Sequence, residues 1–131
     1  MKKSNILNAE IIKEIASAGH TQSLVIADAG LPIPQGTKVI DLALVKGVPS
    51  FSDVLSAVCS ELVVESYVYA SEAEQANPAI VDCMQKCLPD IPKDSIPHED
   101  FKTLSSKANV IIRTGECTSY ANVILIAGVN F

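Results

Sequence analysis

Short apolar runs alternate with helix-patterned segments along the whole chain, and this alternation limits the possible folds more than any other feature. The runs are too short for buried helices and rich in β-branched residues, so they predict strands. They span residues 24–27, 39–44, 63–70, 110–112 and 123–126. Helical spacing of apolar residues predicts helices that begin after Asn8, Ser50 and Asn77 and at His98. This alternation is typical of a layered α/β domain.

The length of the chain sets the number of domains. Its 131 residues, 48% of them hydrophobic, are enough for one compact domain with a core and too few for two. We find no internal repeat, linker or low-complexity segment. We therefore expect a single domain over residues 1–131.

His20 is the first candidate for chemistry. It lies between Gly19, which we expect to end the first helix, and the apolar run that begins at Leu24. Side chains at the ends of elements can converge on a pocket, and imidazole titrates near neutral pH without help. This position predicts proton transfer to a small polar molecule. The alternative is a structural histidine that bonds the last carbonyls of the helix.

Asp28 follows the first predicted strand directly and opens a loop that contains Gly30, Pro32 and Pro34. Ligands of α/β sheets gather at the carboxyl ends of the strands, so Asp28 is a candidate binding residue. The alternative is that its carboxylate caps the following turn through an Asx bond.

Two further groups complete the candidate site. A polar loop that ends in Tyr120, Ala121 and Asn122 separates two apolar runs, and its hydroxyl and amide groups suit neutral sugar hydroxyls better than phosphates. His98 and Lys102 are four residues apart on a short predicted helix, so both can face one pocket. The alternative for this pair is a solvated helix start.

Metal and nucleotide chemistry have little support in the sequence. His20, His98 and Asp28 have the residue types of a two-histidine, one-carboxylate site, but no local HxD or HxxxH motif fixes such a geometry. Cys83 and Cys87 are one helical turn apart without a second pair at zinc spacing. Neither GxGxxG nor GxxxxGK[ST] occurs. We expect no metal and no cofactor.

Charge and hydropathy limit the partners. The formal net charge of −5, without a basic cluster, disfavours nucleic acid, and no apolar run is long enough to span a bilayer. No secretory apolar region follows Lys2 and Lys3, and the four cysteines fit reduced thiols, so we expect a cytoplasmic protein. The mean hydropathy of +0.29 is high for a small acidic chain and indicates apolar surface buried in a homo-oligomer.

Several blocks of the sequence together resemble one family. They are Lys2-Lys3, Gly19-His20-Thr21, residues 28–34, 40–44 and 47–51, and the C-terminal blocks 113–117, 120–122 and 127–129. These blocks resemble the RbsD/FucU family of sugar mutarotases over essentially the full length, and only residues 71–96 contain nothing diagnostic. The fucose-type members have His-Phe-Pro where this chain has Gly30-Leu31-Pro32, so the resemblance favours the ribose type.

The resemblance implies a fold and an activity. It implies a three-layer α/β/α domain with a largely parallel central sheet, assembled into a decameric ring. It also implies a cytoplasmic, cofactor-free enzyme that interconverts β-D-ribopyranose and β-D-ribofuranose and supplies the furanose to ribokinase. A fucose-type mutarotase and a non-catalytic sugar-binding accessory of a ribose transporter are the alternatives.

The resemblance also implies roles for individual residues. His20 matches the proton donor of the family. Asp28, His98 and the segment Tyr120, Ala121 and Asn122 match its sugar-binding residues, and Lys102 matches a lysine near the sugar in ribose-type members.

Overall fold

A computed structural model describes all residues, 1–131. It contains five helices and six strands that alternate along much of the chain. In chain order these are α1 (Ala9–Ser17), β1 (Ser23–Ala27), β2 (Val39–Asp41), α2 (Phe51–Cys59), β3 (Val64–Ala70), α3 (Ala73–Ala76), α4 (Pro78–Cys87), β4 (Lys93–Ile96), α5 (His98–Ser105), β5 (Val110–Arg113) and β6 (Val123–Ala127).

The strands form one mixed sheet in the order β2-β5-β1-β6-β3-β4. Strand β6 is antiparallel to both of its neighbours, β1 and β3, while the other adjacent pairs are parallel. The predicted largely parallel sheet is therefore confirmed, with β6 as its one reversed strand. Because of this reversal, the start of β6 lies at the same sheet edge as the end of β1, where Val123 pairs with Ile26.

Helices cover both faces of the sheet, as predicted for a three-layer α/β/α domain. One core lies between the sheet and α1, α2 and α4, and its largest fully buried members include Phe51, Leu55 and Met84. A smaller core on the other face joins the sheet to Phe101 of α5 and Leu31.

The predicted helix starts are confirmed by their caps. The Asn8 side chain accepts a hydrogen bond from the Ile11 amide, Ser50 accepts from the Asp53 amide, and Pro78 is the first residue of α4. The Asn8 and Ser50 caps satisfy amides that have no partner inside the helix, whereas Pro78 begins α4 without an amide hydrogen that would need one.

Two local expectations were wrong. Helix α1 ends at Ser17, before Gly19, and its C-cap Ala18 is extended. The strand predicted over residues 39–44 ends at Asp41, whose side chain accepts from the Ala43 amide while Leu44 pairs back to Val48. The sequence patterns also did not predict β4, a polar edge strand, which tolerates flanking prolines because one side needs no pairing. No helix is long and apolar enough to cross a membrane.

Candidate functional site

Three segments meet where β1 ends and β6 begins, at the edge of the sheet that is formed by strand ends. They are the loop after β1, the polar loop before β6 and the first turn of α5. This is the edge where the sequence predicted a site. Most of the predicted site residues lie here.

Asp28 and Asn122 bind each other across this edge. The Asp28 amide donates to Asn122 Oδ1 and Asn122 Nδ2 donates to Asp28 Oδ2, each at 2.8 Å. The other oxygen, Asp28 Oδ1, accepts from the Gly30 amide at 2.9 Å. Asp28 therefore makes the Asx bond that caps the following turn, as in the alternative given above, and its side chain also lines a cavity. Asn122 is completely buried, so the carboxylate has a fixed orientation.

His98 is held at the start of α5 by a residue that the sequence analysis missed. Both carboxylate oxygens of Glu72 accept from the His98 amide at 3.0 Å. This bond is the main cause that lowers the pKa of Glu72. The His98 ring contacts Tyr120 edge-to-face at 5.1 Å between centroids and stacks on Phe101. Its Nδ1 is buried without a hydrogen-bond partner, which is typical of positions where a bound molecule completes the bonding.

These side chains surround a cavity of about 240 Å³. Such a volume is small beside the roughly 300–1,000 Å³ of drug-sized pockets and suits a small polar ligand. The lining residues are Asp28, Gly30, Leu31, Pro32, His98, Ser119 and Tyr120. A carboxylate, an imidazole and two hydroxyls therefore converge without any cation among them.

Lys102 and Ala121 differ from the other predicted residues. Lys102 lines an adjacent cavity of about 360 Å³, which shares Pro32 with the first, and its Nζ lies 2.7 Å from Glu99 Oε1. Ala121 is completely buried in the larger core, so only its backbone can face a ligand. Tyr120 has a left-handed backbone with φ 55°, which turns the chain between the cavity and β6.

The loop before β6 is fixed by internal hydrogen bonds. Thr114 Oγ1 donates to the Ala27 carbonyl at 2.8 Å, and the Glu116 carbonyl accepts from the Ala29 amide at 2.8 Å. The Glu116 carboxylate binds the Phe51 amide and the Thr118 hydroxyl. Glu116 was also missed, because nothing in a polar loop distinguishes an organising carboxylate from a solvated one.

His20 is not at this site. It precedes β1, whereas Asp28 follows it, and a strand rises about 3.3 Å per residue, so the five residues of β1 alone separate the two ends by roughly 15 Å. His20 lines a different cavity of about 370 Å³ with the C-terminal residues 127–131, and its Nε2 lies 2.7 Å from Glu65 Oε2. Within one chain, the structure therefore does not bring His20 to Asp28 and His98.

The side chains that could bind a metal are dispersed. No group of three or more His, Cys, Asp or Glu residues has an arrangement that could hold a metal ion. All four cysteines are free thiols, and burial raises the pKa of Cys59 to about 12.

Comparison with known proteins agrees with this fold. The model of the RbsD / FucU transport protein family matches residues 1–130. The chain belongs to this family. The resemblance stated from the sequence motifs is confirmed. A D-ribose pyranase of Exiguobacterium sibiricum is 52% identical to this chain over 131 residues, which cover all of both proteins.

Solved structures of the family extend the comparison. RbsD of Bacillus subtilis, in complex with D-ribose, is 43% identical and has a TM-score of 0.96 over the whole of both chains. The fucose mutarotase of Streptococcus pneumoniae, in complex with L-fucose, is 24% identical and has a TM-score of 0.81 over 95% of each chain. The second likeness shows the fold alone.

Proposed function

We propose that this protein is a D-ribose pyranase, an isomerase that interconverts β-D-ribopyranose and β-D-ribofuranose. The observation that carries the proposal is the full-length match to ribose-bound RbsD. The small polar cavity at the end of β1 supports it, because its lining contains no lysine or arginine. In ribose catabolism this activity would supply the furanose form to ribokinase.

The sugar-binding residues we propose are those at the Asp28 edge. Asp28 accepts hydrogen bonds from sugar hydroxyls, while Tyr120 and His98 can both donate and accept. Asn122 orients Asp28 through the two 2.8 Å bonds, and the backbone of Ala121 borders the site. We include Lys102 among them because its cavity shares Pro32 with the sugar pocket, although its Nζ is paired with Glu99.

We propose that His20 is the general acid and base and that a neighbouring subunit supplies it. The two ends of β1 are too far apart for His20 of one chain to reach its own Asp28. Exposed apolar side chains surround the His20 cavity, with 44% of Val63, 40% of Val129 and all of Phe131 accessible. Such a surface favours contact with a second copy. A closed homo-oligomer, a decamer in our proposal, repeats this contact around a ring.

Apart from the ring bond that breaks and the one that forms, the reaction needs only proton transfers. When the pyranose opens, the bond between C1 and the ring oxygen breaks, His20 protonates that oxygen, and water accepts the proton of the anomeric hydroxyl. When the furanose closes, another hydroxyl attacks C1 and returns a proton to His20, while water reprotonates the anomeric oxygen. Acid and base catalysis of this kind contributes about 10²–10⁴ in rate.

We further propose that the protein acts in the cytoplasm without metal or nucleotide. Four free thiols fit a reducing compartment. Dialysis against a chelator is expected to leave the exchange rate unchanged. A loss of activity that one divalent metal restores would instead support a metal site formed between subunits.

Saturation-transfer NMR tests the proposal directly. When the β-pyranose signal of D-ribose is saturated, the saturation should transfer to the β-furanose signal much faster with protein than without. The ring forms of L-fucose should exchange more slowly than those of ribose. Equal acceleration of fucose would favour the fucose-type alternative. Binding without faster exchange would favour a non-catalytic accessory of transport, an alternative that the family's description keeps open.

A further inference from the structure

Glu65 forms a hydrogen bond with His20, an ion pair when the imidazole is protonated, that folding stability does not explain. Glu65 Oε2 lies 2.7 Å from His20 Nε2, yet 39% of the Glu65 and 54% of the His20 side chain remain exposed. Exposed ion pairs contribute little to stability, because solvent screens the charges and two side chains lose freedom. The contact therefore points to another role.

An irregularity in β3 directs Glu65 toward His20. Val64 pairs with Ala127 and Ser66 pairs with Ile126, so two successive partners on β6 face three residues of β3 and Glu65 is the extra one. Val64 and Tyr67 are three residues apart, so strict alternation would place their side chains on opposite faces of the sheet. Because of the bulge, both side chains lie in the same core. Bulges occur next to active sites, where they change the direction of a side chain.

Gly128 of the C-terminal segment leaves room for Glu65. A Cβ atom at Gly128 would lie 3.1 Å from Glu65 Cβ and 3.3 Å from Val63 Cγ1, which is closer than ordinary packing. The glycine therefore allows the bulged strand and the segment after β6 to approach each other. Its amide also donates to the Val63 carbonyl at 2.8 Å, which fixes this approach.

The backbone that carries His20 is equally fixed. The Gly19 amide donates to Gln22 Oε1 at 2.8 Å, and the Thr21 amide donates to the Ala127 carbonyl of β6 at 2.9 Å. Thr21 has a left-handed backbone with φ 68°, a conformation that such contacts must hold in place. The turn and the bulge thus bring both partners to one point.

We propose that Glu65 is the positioning residue of the His20 imidazole: it fixes the ring orientation and keeps a proton on Nε2, so that Nδ1 exchanges protons with the sugar. This inference rests on the proposed function, in which His20 is the acid and base. A carboxylate partner sets the tautomer and orientation of a histidine in the same way in other sites.

The proton balance follows from this arrangement. Charged His20 carries protons on both nitrogens, with the Nε2 proton bonded to Glu65. Nδ1 gives its proton to the ring oxygen as the C1–oxygen bond breaks, which leaves a neutral ring still bonded to Glu65. Nδ1 then takes the proton of the hydroxyl that closes the furanose. Glu65 remains ionised throughout.

The kinetic test compares Glu65→Gln with Glu10→Gln, a matched control that removes the same charge from an exposed position on α1. We expect Glu65→Gln to lower kcat about tenfold or more with KM within about twofold, because loss of such an outer partner typically costs 10- to 100-fold. Glu10→Gln should match the wild type. The double variant His20→Ala/Glu65→Gln should be no slower than His20→Ala alone.

A spectroscopic test has its decisive result in the wild-type protein. The chain has two histidines, so ¹⁵N-histidine labelling, with His98→Gln for assignment, identifies the His20 ring nitrogens. In the wild-type protein, neutral His20 should carry its proton on Nε2, and Glu65→Gln should mix the two tautomers. A neutral ring protonated on Nδ1 in the wild type would overturn the inference.

The two proposals fail in different ways. Wild-type exchange in folded His20→Ala would remove His20 from the reaction and with it the proposed acid and base. An inactive His20→Ala combined with an unimpaired Glu65→Gln, or with a double variant slower than His20→Ala, would overturn the role of Glu65 alone.

Discussion

At the scale of single residues, Asp28 closes a turn and also lines the candidate cavity. One carboxylate oxygen closes the Asx turn to Gly30 and the other bonds to Asn122, while the side chain still lines the cavity. The position after a strand was enough to predict Asp28 as a site residue. The reciprocal partner was not predictable, because Asn122 is 94 residues away and pairing at that separation depends on the reversal of β6.

Replacing His20 tests its assignment as acid and base. We expect His20→Ala to lower the pyranose–furanose exchange rate at least about a hundredfold, within the usual range for such groups, because no other side chain would deliver the proton. Ribose binding and the circular dichroism spectrum should stay close to the wild type, since the His20 side chain is half exposed and its one hydrogen bond is to Glu65. Unchanged exchange in the folded variant would contradict the assignment.

The carboxylate of Glu72 makes a pH-dependent contribution to stability. Its bond to the His98 amide lowers the pKa of Glu72 in the folded protein. The ionised form therefore stabilises the fold above the unfolded-state pKa, and this contribution is lost as the pH falls through the lower folded-state pKa. We expect Glu72→Gln to lower Tm at pH 7 and the difference to shrink below about pH 4. A difference in Tm that stays constant from pH 7 to pH 3 would argue against this bond.

At the scale of elements, predictability followed the strength of the local pattern. The structure confirms the apolar runs at β1, β5 and β6, the capped starts of α1 and α2, and the start of α4 that its first-position proline marks. Strand β4 has no apolar alternation, since three of its four residues are exposed at the sheet edge. The bulge at Glu65 depends on pairing with β6, which no local pattern records.

Gly115 provides a test of the loop that supports the site. A Cβ atom there would lie 2.3 Å from the Val48 carbonyl oxygen, so Gly115→Ala must displace backbone. We expect a loss of roughly 2–4 kcal/mol in the free energy of unfolding, measured by urea denaturation. Gly19→Ala is the control, because its Cβ would have no neighbour closer than 3.6 Å, and it should change stability by less than about 0.5 kcal/mol. Equal effects of the two substitutions would contradict this explanation.

At the scale of the whole molecule, one chain contains two separate halves of the proposed site. The binding residues lie at one end of β1, and His20, with Glu65 and the apolar C-terminus, lies at the other. The sequence predicted these residue types and an apolar strand between His20 and Asp28, and the structure shows that this strand holds the two side chains at its opposite ends. The length of this strand is the reason that our proposal takes His20 from a neighbouring subunit.

Complementation between two inactive variants tests this shared site most directly. His20→Ala and Asp28→Asn should each lack exchange activity as pure proteins. In oligomers formed by co-expressing both, a site that takes His20 from one subunit and Asp28 from its neighbour is intact in roughly a quarter of random pairings. We therefore predict recovery of about a quarter of the wild-type exchange rate in purified mixed oligomers. Mixed oligomers of equal proportions that show no recovery would contradict a site shared between subunits.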